Sequence, residues 1–202
     1  MGEADHRLDA YRSKRKADRT PEPMPGSRRG DRQRPSFVIQ EHHASRLHWD
    51  FRLEIDDVLV SWAVPKGPST DPRDKRLAVR TEDHPLEYGD FEGVIPEDEY
   101  GGGAVIVWDR GTYRNLRADE DEPRSMADSL EAGQIEVSLD GHKLKGGFAL
   151  IHAKLGGQAG NWLLIKKKDD HADARRNPTS TEPESVISGR TVDALIDEDG
   201  AS

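Results

Sequence analysis

The amino-acid sequence predicts an all-β fold, either a barrel or a sandwich, with a polar segment at each end. Three observations support this prediction. From residue 37 onward the chain is made of short β-prone runs separated by Gly, Pro and Asp turns. Strands at this spacing are typical of antiparallel barrels and sandwiches. A length of 202 residues is enough for one domain, and a hydrophobic content of 33% against 34% charged residues indicates that some of the chain lies outside the core.

The predicted elements follow in order along the middle of the chain. Eight strands are expected at residues 37–40, 47–55, 58–64, 76–81, 104–113, 134–141, 142–154 and 161–168. One short core helix is expected over 123–132, because its pattern is helical and Gly133 follows it. Three consecutive glycines at 101–103 predict a tight turn, since the lysine and strand-to-helix context of a phosphate-binding loop are missing.

Composition divides the chain into three segments. Residues 1–35 carry ten Lys/Arg and six Asp/Glu, a net charge of +4, and form a basic arm with one short helix near 6–16. Residues 36–170 form the predicted β domain, and residues 171–202 form a polar tail whose apolar patch at 186–196 docks or forms a helical turn. We expect both arms to be disordered or loosely docked, and the basic arm to bind DNA phosphates.

Several classes of site and location are excluded by composition. The chain has no cysteine, so it has no disulfide, thiol nucleophile or cysteine-held metal, and any metal must be held by His, Asp or Glu. No apolar run reaches the length of a membrane span, and the first residues lack the apolar centre of a secretory signal. We therefore expect a soluble cytoplasmic protein without a membrane partner.

The strand at 47–55 carries the first candidate site. Its alternation places Leu47, Trp49, Phe51, Leu53 and Ile55 on one face. The other face carries the polar side chains His48, Asp50, Arg52 and Glu54. Neighbours on one face lie about 6.6–6.8 Å apart along a strand, so the first two can converge on one ion and the arginine can hold an anion beside it.

Histidines shortly before this strand complete a possible metal site. His42 and His43 lie across the turn 44–46 from His48. Two histidines and Asp50, with coordination positions left open, suit a catalytic divalent metal. The alternative is a solvated polar face with a ladder of salt bridges, and periodicity alone does not decide between the two.

A second cluster of polar residues follows in the next loops. Taken together these residues can form a phosphate clamp of Arg and Lys beside a histidine, and taken singly they are ordinary solvated turn residues. The members are Lys66, Arg76, Arg80, Glu82, His84 and Tyr88.

At this point two long stretches of sequence match a known family. FVIQEHHASRLHWDFRLEIDDVLVSWAVPKGPS and KRLAVRTEDHPLEYGDFEGVIPEDEYGGGAVIVWDRGTY resemble the 3'-phosphoesterase domain of bacterial DNA ligase D and its freestanding relatives. The resemblance extends from about residue 8 to residue 170. The nucleophilic lysine motif K-x-D-G of the ligase is absent from this chain, as is a polymerase module.

The resemblance implies a compact β-barrel with short flanking helices. It also implies a divalent ion, typically Mn²⁺ or another ion such as Co²⁺ or Zn²⁺. The implied metal ligands are His42, His48 and Asp50; Arg52 and His84 are implied to hold the scissile phosphate, with Gln40, Lys66, Arg76, Glu82 and Tyr88 around it. In the arm, Arg15 and Glu22 keep their family positions for the nucleic acid, whereas Lys16 replaces an acidic residue.

The implied activity is repair of a primer 3' end in two steps. A phosphodiesterase step removes a terminal ribonucleoside, and a phosphomonoesterase step removes the remaining 3'-phosphate. The expected partner is a DNA primer-template with a 3'-ribonucleotide or 3'-phosphate end, bound by a monomer near the nucleoid, with a separate ligase or polymerase acting alongside it. Two alternatives stay open: a noncatalytic DNA-end-binding or ligase-recruiting module, and a cupin-like metal oxygenase.

Overall fold

Nine β-strands form one antiparallel sheet in the computed structural model, which describes residues 3–30, 33–153 and 159–200. The strands are β1 (Ser36–His43), β2 (Leu47–Ile55), β3 (Val58–Val64), β4 (Arg76–Arg80), β5 (Gly93–Ile95), β6 (Gly103–Asn115), β7 (Gln134–Gly141), β8 (Lys145–His152) and β9 (Asn161–Lys166). Their order in the sheet is β1-β2-β3-β4-β9-β8-β7-β6-β5. Because β1 also pairs with β6, eight strands close into a barrel and β5 lies outside it.

The remaining elements are short and lie around the barrel. They are helices α1 (Glu3–Arg7), α2 (Asp9–Ser13), α3 (Met126–Glu131), α4 (Pro178–Thr181) and α5 (Val192–Gly200), and the 3-10 turns Leu86–Asp90 and Leu116–Asp119. The predicted mainly β barrel with short flanking helices is therefore confirmed. None of the helices among the described residues is long and apolar enough to cross a membrane.

Most element predictions agree with the structure. Helix α3 lies within the predicted segment 123–132, and the Ser125 side chain caps it by accepting a hydrogen bond from the Asp128 backbone. The predicted turn at 101–103 is also present, with positive φ angles of 76° at Gly101 and 133° at Gly103. Strand β5 was not predicted, because three residues are too few to show alternation. The predicted end of one strand at Lys154 lies outside the described residues.

Two of the apolar clusters pack against opposite faces of the sheet. The barrel interior is filled from all sides by side chains such as Trp49, Phe51 and Trp62. A second cluster on the outer face of β1, β3 and β6 includes Leu86 and Tyr88. This second cluster covers the outer face of β1, β3 and β6, and the polar residues of β2 lie beneath it.

The basic arm forms part of this cover. Tyr11 of α2 is completely buried in the outer cluster, and its hydroxyl donates to the Pro23 carbonyl oxygen at 2.7 Å. Arg15 and Glu22 are also buried, with 8% and 4% of their surface exposed. The described residues of the arm are therefore docked. Of the two options expected for the arm, docking is the one seen for these residues, and the docking contacts come from isolated residues that show no periodicity.

The C-terminal tail docks as well, as the apolar patch at 186–196 predicted. Val192 and Leu195 of α5 pack on Ala104 and Ile106 of β6. Upstream of this helix, the Trp108 indole N–H donates to the Glu182 carbonyl oxygen at 2.8 Å. Both ends of the described chain are thus held on the barrel surface.

The burial of Tyr11 makes the arm a measurable part of folding stability. We expect Tyr11→Ala to lower the free energy of unfolding by about 3 kcal/mol, since it removes a fully buried aromatic ring and leaves a cavity. Urea denaturation of the full chain measures the change. The matched substitution Tyr100→Ala, at a tyrosine that is 47% exposed, should cost about 1 kcal/mol or less. Equal costs at the two positions would contradict the docked arm.

Candidate active site

The polar face of β2 is buried beneath the arm. Asp50 and Arg52 are 6% and 2% exposed, respectively. The alternation predicted from sequence is correct, since Trp49, Phe51 and Leu53 point into the barrel interior. The alternative of a solvated polar face is wrong, because a buried carboxylate and guanidinium need the specific partners described below.

Cross-strand pairing assembles three metal-ligand candidates. His42 of β1 pairs directly with His48 of β2, and Gln40 pairs with Asp50, so these side chains meet on one face. His42 Nδ1 lies 3.6 Å from Asp50 Oδ2, and His48 Nε2 lies 3.5 Å from Asp50 Oδ1. One ligand atom from each of the three residues lies within 4.8 Å of the others. The structure thus brings together the three predicted ligands.

Backbone carbonyls orient both histidine rings toward this point. His42 Nε2 lies 2.8 Å from the Gly101 carbonyl oxygen, and His48 Nδ1 lies 3.0 Å from the Arg46 carbonyl oxygen. Each contact requires a hydrogen on that nitrogen, so the lone pair of the other nitrogen faces Asp50. Fixing the tautomer by an outer hydrogen bond is the usual arrangement of metal-binding histidines. The residues therefore fit a divalent ion with open positions.

The charge of Asp50 is maintained inside the protein. Burial alone would raise the pKa of Asp50, but the neighbouring Arg52 guanidinium favours the charged form, and this pKa lies well below its usual range. Arg52 Nη2 donates to Asp50 Oδ2 at 3.0 Å. An ionised carboxylate is what a hard divalent ion requires.

Arg52 is held rigidly on all sides. Its Nε donates to Gln40 Oε1 and its Nη1 to Ser61 Oγ, both at 2.8 Å. Gln40 in turn donates to the carbonyl oxygens of Tyr88 and Phe91. Gln40 thus lies below the pocket and acts on the site by orienting the guanidinium, which is preorganised for an anion.

His84 lies on the other side of Arg52. Its backbone exchanges two hydrogen bonds with Leu59 of β3, which place the ring against the pocket. Nδ1 lies 3.0 Å from Arg52 Nη1 and 2.9 Å from the Glu82 carbonyl oxygen. Burial, then Arg52, then Arg15 lower the pKa of His84 well below its usual range, so the imidazole is neutral at pH 7.

The arm supplies the roof of the pocket. The Arg15 guanidinium stacks on the Tyr11 ring at 3.8 Å and places Nη2 3.5 Å from His84 Nε2. Its Nε donates to Glu22 Oε1 at 2.8 Å and its Nη1 to Glu82 Oε1 at 3.2 Å. Burial opposes the charge of Glu82, yet hydrogen bonds from its own backbone and from Lys14, together with Arg15, lower its pKa. Arg15 therefore ties the arm to the site through Glu82, while Glu22 of the same arm holds the guanidinium in place.

These groups enclose one pocket of about 330 Å³. It is lined by Arg15, Glu22, His42, His48, Asp50, Arg52, Glu82, His84 and Tyr88, together with Ala44, Ala63, Thr81, Ile95, Tyr100 and Gly101. The Tyr88 ring contacts His84 edge-on at 4.7 Å between centroids, and the Arg52 guanidinium lies 4.9 Å from the Tyr88 ring. The structure thus brings most of the predicted site residues together.

Sequence reasoning did not single out Tyr100 or Gly101, which both line this pocket. Tyr100 accepts a hydrogen bond from Lys14 Nζ at 3.0 Å at the pocket rim, and Gly101 provides the carbonyl oxygen for His42. No spacing rule links these residues to the arm or to β1. The three glycines at 101–103 were the available signal, because they mark a turn that allows close approach.

Two predicted residues are not brought to this pocket. Lys66 and Arg76 line a separate pocket of about 340 Å³ with Asp74 and Lys75. They lie beyond the end of β3 and at the start of β4, whereas the metal candidates lie on β1 and β2. A contact of these two residues with the scissile phosphate is therefore not supported by their placement.

Comparison with known proteins identifies the family. Residues 40–152 match the family described as the DNA ligase D 3'-phosphoesterase domain. The chain belongs to this 3'-phosphoesterase family. The matched range holds all three metal-ligand candidates together with Arg52 and His84, whereas the arm residues Arg15 and Glu22 precede it.

Full-length relatives agree with this assignment. The multifunctional non-homologous end joining protein LigD of Pseudomonas aeruginosa is 48% identical over 188 residues, which cover 92% of this chain and 22% of that protein. The LigD DNA repair protein of Mycobacterium tuberculosis is 45% identical over 163 residues, covering 81% of this chain and 20% of that protein. The LigD protein of Mycolicibacterium smegmatis is 47% identical over 163 residues, which cover 81% of this chain and 21% of that protein. The chain thus spans about a fifth of the length of the curated relatives it matches.

Proposed function

We propose that this protein is a divalent-metal-dependent DNA 3'-phosphoesterase that processes primer ends in two steps. It removes a 3'-terminal ribonucleoside by phosphodiester hydrolysis and then removes the 3'-phosphate, leaving a 3'-hydroxyl for a repair polymerase or ligase. The observation that carries the proposal is the pairing of the His42, His48 and Asp50 donors with the cationic wall of Arg52 and Arg15 in one pocket.

The donor set suits Mn²⁺, with Co²⁺ or Zn²⁺ as substitutes. His42 Nδ1, His48 Nε2 and a carboxylate oxygen of Asp50 would hold the ion. When bound, it supplies Lewis-acid polarisation of a phosphate oxygen and lowers the pKa of a coordinated water. Imidazole and carboxylate ligands with open positions accommodate these metals.

The phosphate is bound by the preorganised cations. Arg52 cannot reorient, because its Nε and both Nη atoms are hydrogen-bonded to Gln40, Ser61, His84 and Asp50. Charge grows on the phosphate oxygens in the transition state, and a fixed guanidinium that lines the pocket stabilises that charge. A rigid cationic wall of this kind favours a phosphate substrate over the keto acid of a metal oxygenase.

His84 donates a hydrogen bond or a proton to the substrate. It is neutral in the free protein, because burial and two guanidiniums disfavour the imidazolium. A phosphate bound between Arg52 and Arg15 offsets those charges, which raises the imidazole pKa. Water attacks the phosphorus and loses a proton to solvent, the P–O bond to the leaving oxygen breaks, and that oxygen takes a proton from the protonated His84 at Nε2.

The experiment that tests the function uses a labelled primer-template ending in one ribonucleotide. With Mn²⁺, we expect a product shortened to a 3'-phosphate and then a 3'-hydroxyl product. With a chelator, both products should disappear, and adding Mn²⁺ back should restore them. Binding of the DNA end without either product would support the noncatalytic module, and full activity in chelator would overturn the metal assignment.

A further inference from the structure

Most basic residues of the arm are already engaged in ion pairs. Ion pairs within the described residues engage Arg7, Arg12, Lys14, Arg15, Arg19, Arg28 and Arg29, seven of the ten basic residues in 1–35. Their acidic partners lie on the barrel for Arg7, Lys14 and Arg28, with Asp83, Glu82 and Asp90. The net positive charge of the arm thus largely serves its own docking. Cations without such pairs are therefore the better candidates to meet the phosphates of the duplex.

One end of the barrel carries cations with few acids. Strand β2 begins, β3 ends and β4 begins at this end, since the three strands pair antiparallel in that order. The loops here contribute Arg46, Lys66 and Lys75, all exposed. None of the three side chains has a hydrogen bond or ion pair with any residue the structure describes. Arg46, Lys66, Lys75 and Arg76, together with Leu47 and Leu77, are termed the barrel rim.

Arg76 of the rim has a hydrogen-bond donor that is not used within the described residues. Its Nη2 donates to Asp74 Oδ2 at 3.1 Å, whereas its Nε is buried and has no hydrogen-bond partner within the described residues. A buried guanidinium N–H without an acceptor is costly, and an external anion would satisfy it. The pocket of about 340 Å³ that Arg76 shares with Lys66 and Lys75 provides space for such an anion.

The rim also presents apolar surface. Leu47 is 42% exposed and Leu77 is 41% exposed, beside the cations of the same strand ends. Alternating positive charge and small apolar patches match the phosphates and sugars of a nucleic-acid backbone. Isolated exposed leucines are common on protein surfaces, so the cations carry the argument and the leucines add contact area.

The rim connects to the candidate active site through β2. The Arg46 carbonyl oxygen orients His48, and Ala44 of the same turn lines the active-site pocket. A DNA strand bound at Arg46 is therefore next to the active-site pocket, because Ala44 of the same turn lines that pocket. The Gly67 backbone approaches the Trp49 ring so closely that an added Cβ would lie 2.9 Å from Trp49 Cε3, which places the Lys66 loop next to the start of β2.

We propose that the barrel rim docks the duplex portion of the primer-template while its 3' end enters the active-site pocket. That the bound molecule carries a reactive 3' end rests on the function proposed above. Phosphate binding by the rim does not depend on that function. Lys66 and Arg76 thus bind phosphates upstream of the scissile one. The arm closes the pocket and contributes little to duplex affinity.

The test measures binding without catalysis. Fluorescence anisotropy in chelator, with a primer-template that ends in an unreactive 3'-hydroxyl, compares wild type with the double variant Arg46→Ser/Lys75→Gln. Neither residue lines the active-site pocket. We expect Kd to rise about tenfold at low salt and the slope of log Kd against log salt to fall by about two, because two phosphate contacts are lost.

Two matched controls complete the experiment. Lys16→Gln removes an exposed cation of the arm, and Arg124→Gln removes a cation next to Ser125, which lines a cavity with Asp56 and Asp57 at the other barrel end. Both should leave Kd within about twofold of wild type. Unchanged binding by the double variant, or an equal loss in a control, would overturn the rim proposal. An equal loss for single-stranded DNA would overturn the assignment to duplex, and inactivity with normal binding would sink the catalytic proposal alone.

Discussion

Replacing Asp50 by Asn is expected to remove the metal and both hydrolytic steps together. The amide keeps the shape of the side chain, but it takes away the negative charge that holds a divalent ion, and no other acid lies within the group of three candidate ligands. We expect both activities to fall at least about 100-fold. A direct measurement is the rise of melting temperature on adding Mn²⁺, which wild type should show and Asp50→Asn should lack.

The substitution also affects stability, and this effect needs its own control. Arg52 loses a buried partner, and breaking a buried ion pair costs about 3–5 kcal/mol. Gln40 and Ser61 continue to accept from the guanidinium, so the cost should lie at or below the lower end of that range. Urea denaturation in chelator separates this cost from metal loss.

His84→Ala provides the matched comparison. His84 lies in a different segment from the ligands and contacts Arg52 and Glu82 instead of the metal candidates. The variant should keep the Mn²⁺-dependent rise in melting temperature and lose turnover. The two steps should suffer unequally, because the monoester carries more charge than the diester. Metal lost from the His84 variant but retained by Asp50→Asn would invert the assignment of the two residues.

The local part of the site could be predicted from sequence, because it follows from strand alternation. His48, Asp50 and Arg52 are consecutive residues on one face of a single strand, and His42 is separated from them by one short turn. Hairpin geometry brings such residues together without any knowledge of the rest of the fold. Strand patterns also made the barrel class predictable, whereas the three residues of β5 are too few to show alternation.

Contacts between distant segments could not be predicted in this way. Arg15 reaches Glu82 and His84 across more than sixty residues, and one side chain on an irregular arm leaves no periodic signal. Lys66 and Arg76 present the opposite problem. Their residue types suit a phosphate clamp, but the pairing of β3 with β4 places them at the barrel rim. Side-chain chemistry alone does not reveal which of two neighbouring anion sites a cation serves.

Arg15→Gln is the second substitution expected to have a large effect. Arg15 stacks on Tyr11, pairs with Glu22 and Glu82, and lies 3.5 Å from His84, so it links the arm to the catalytic pocket. Glutamine removes the charge that complements the phosphate in the transition state. A single preorganised group of this kind contributes about 100-fold to 1,000-fold in turnover. We expect kcat to fall by about that factor, with Kd for the 3'-hydroxyl duplex nearly unchanged.

The comparison with Arg19→Gln decides whether charge in the pocket or general docking of the arm is responsible. Arg19 also pairs the arm with the barrel, through Asp98 and Glu99, but its side chain is 47% exposed and does not line the pocket. Its loss should lower kcat less than about twofold, as expected for a surface ion pair.

The variants should also differ in the pKa of His84, which stays low because of burial, Arg52 and Arg15 in that order. Removing Arg15 should raise this pKa, as NMR titration of the imidazole can measure, whereas removing Arg19 should not. Equal losses of turnover in the two variants, with no difference in the His84 titration, would show that Arg15 serves only to dock the arm.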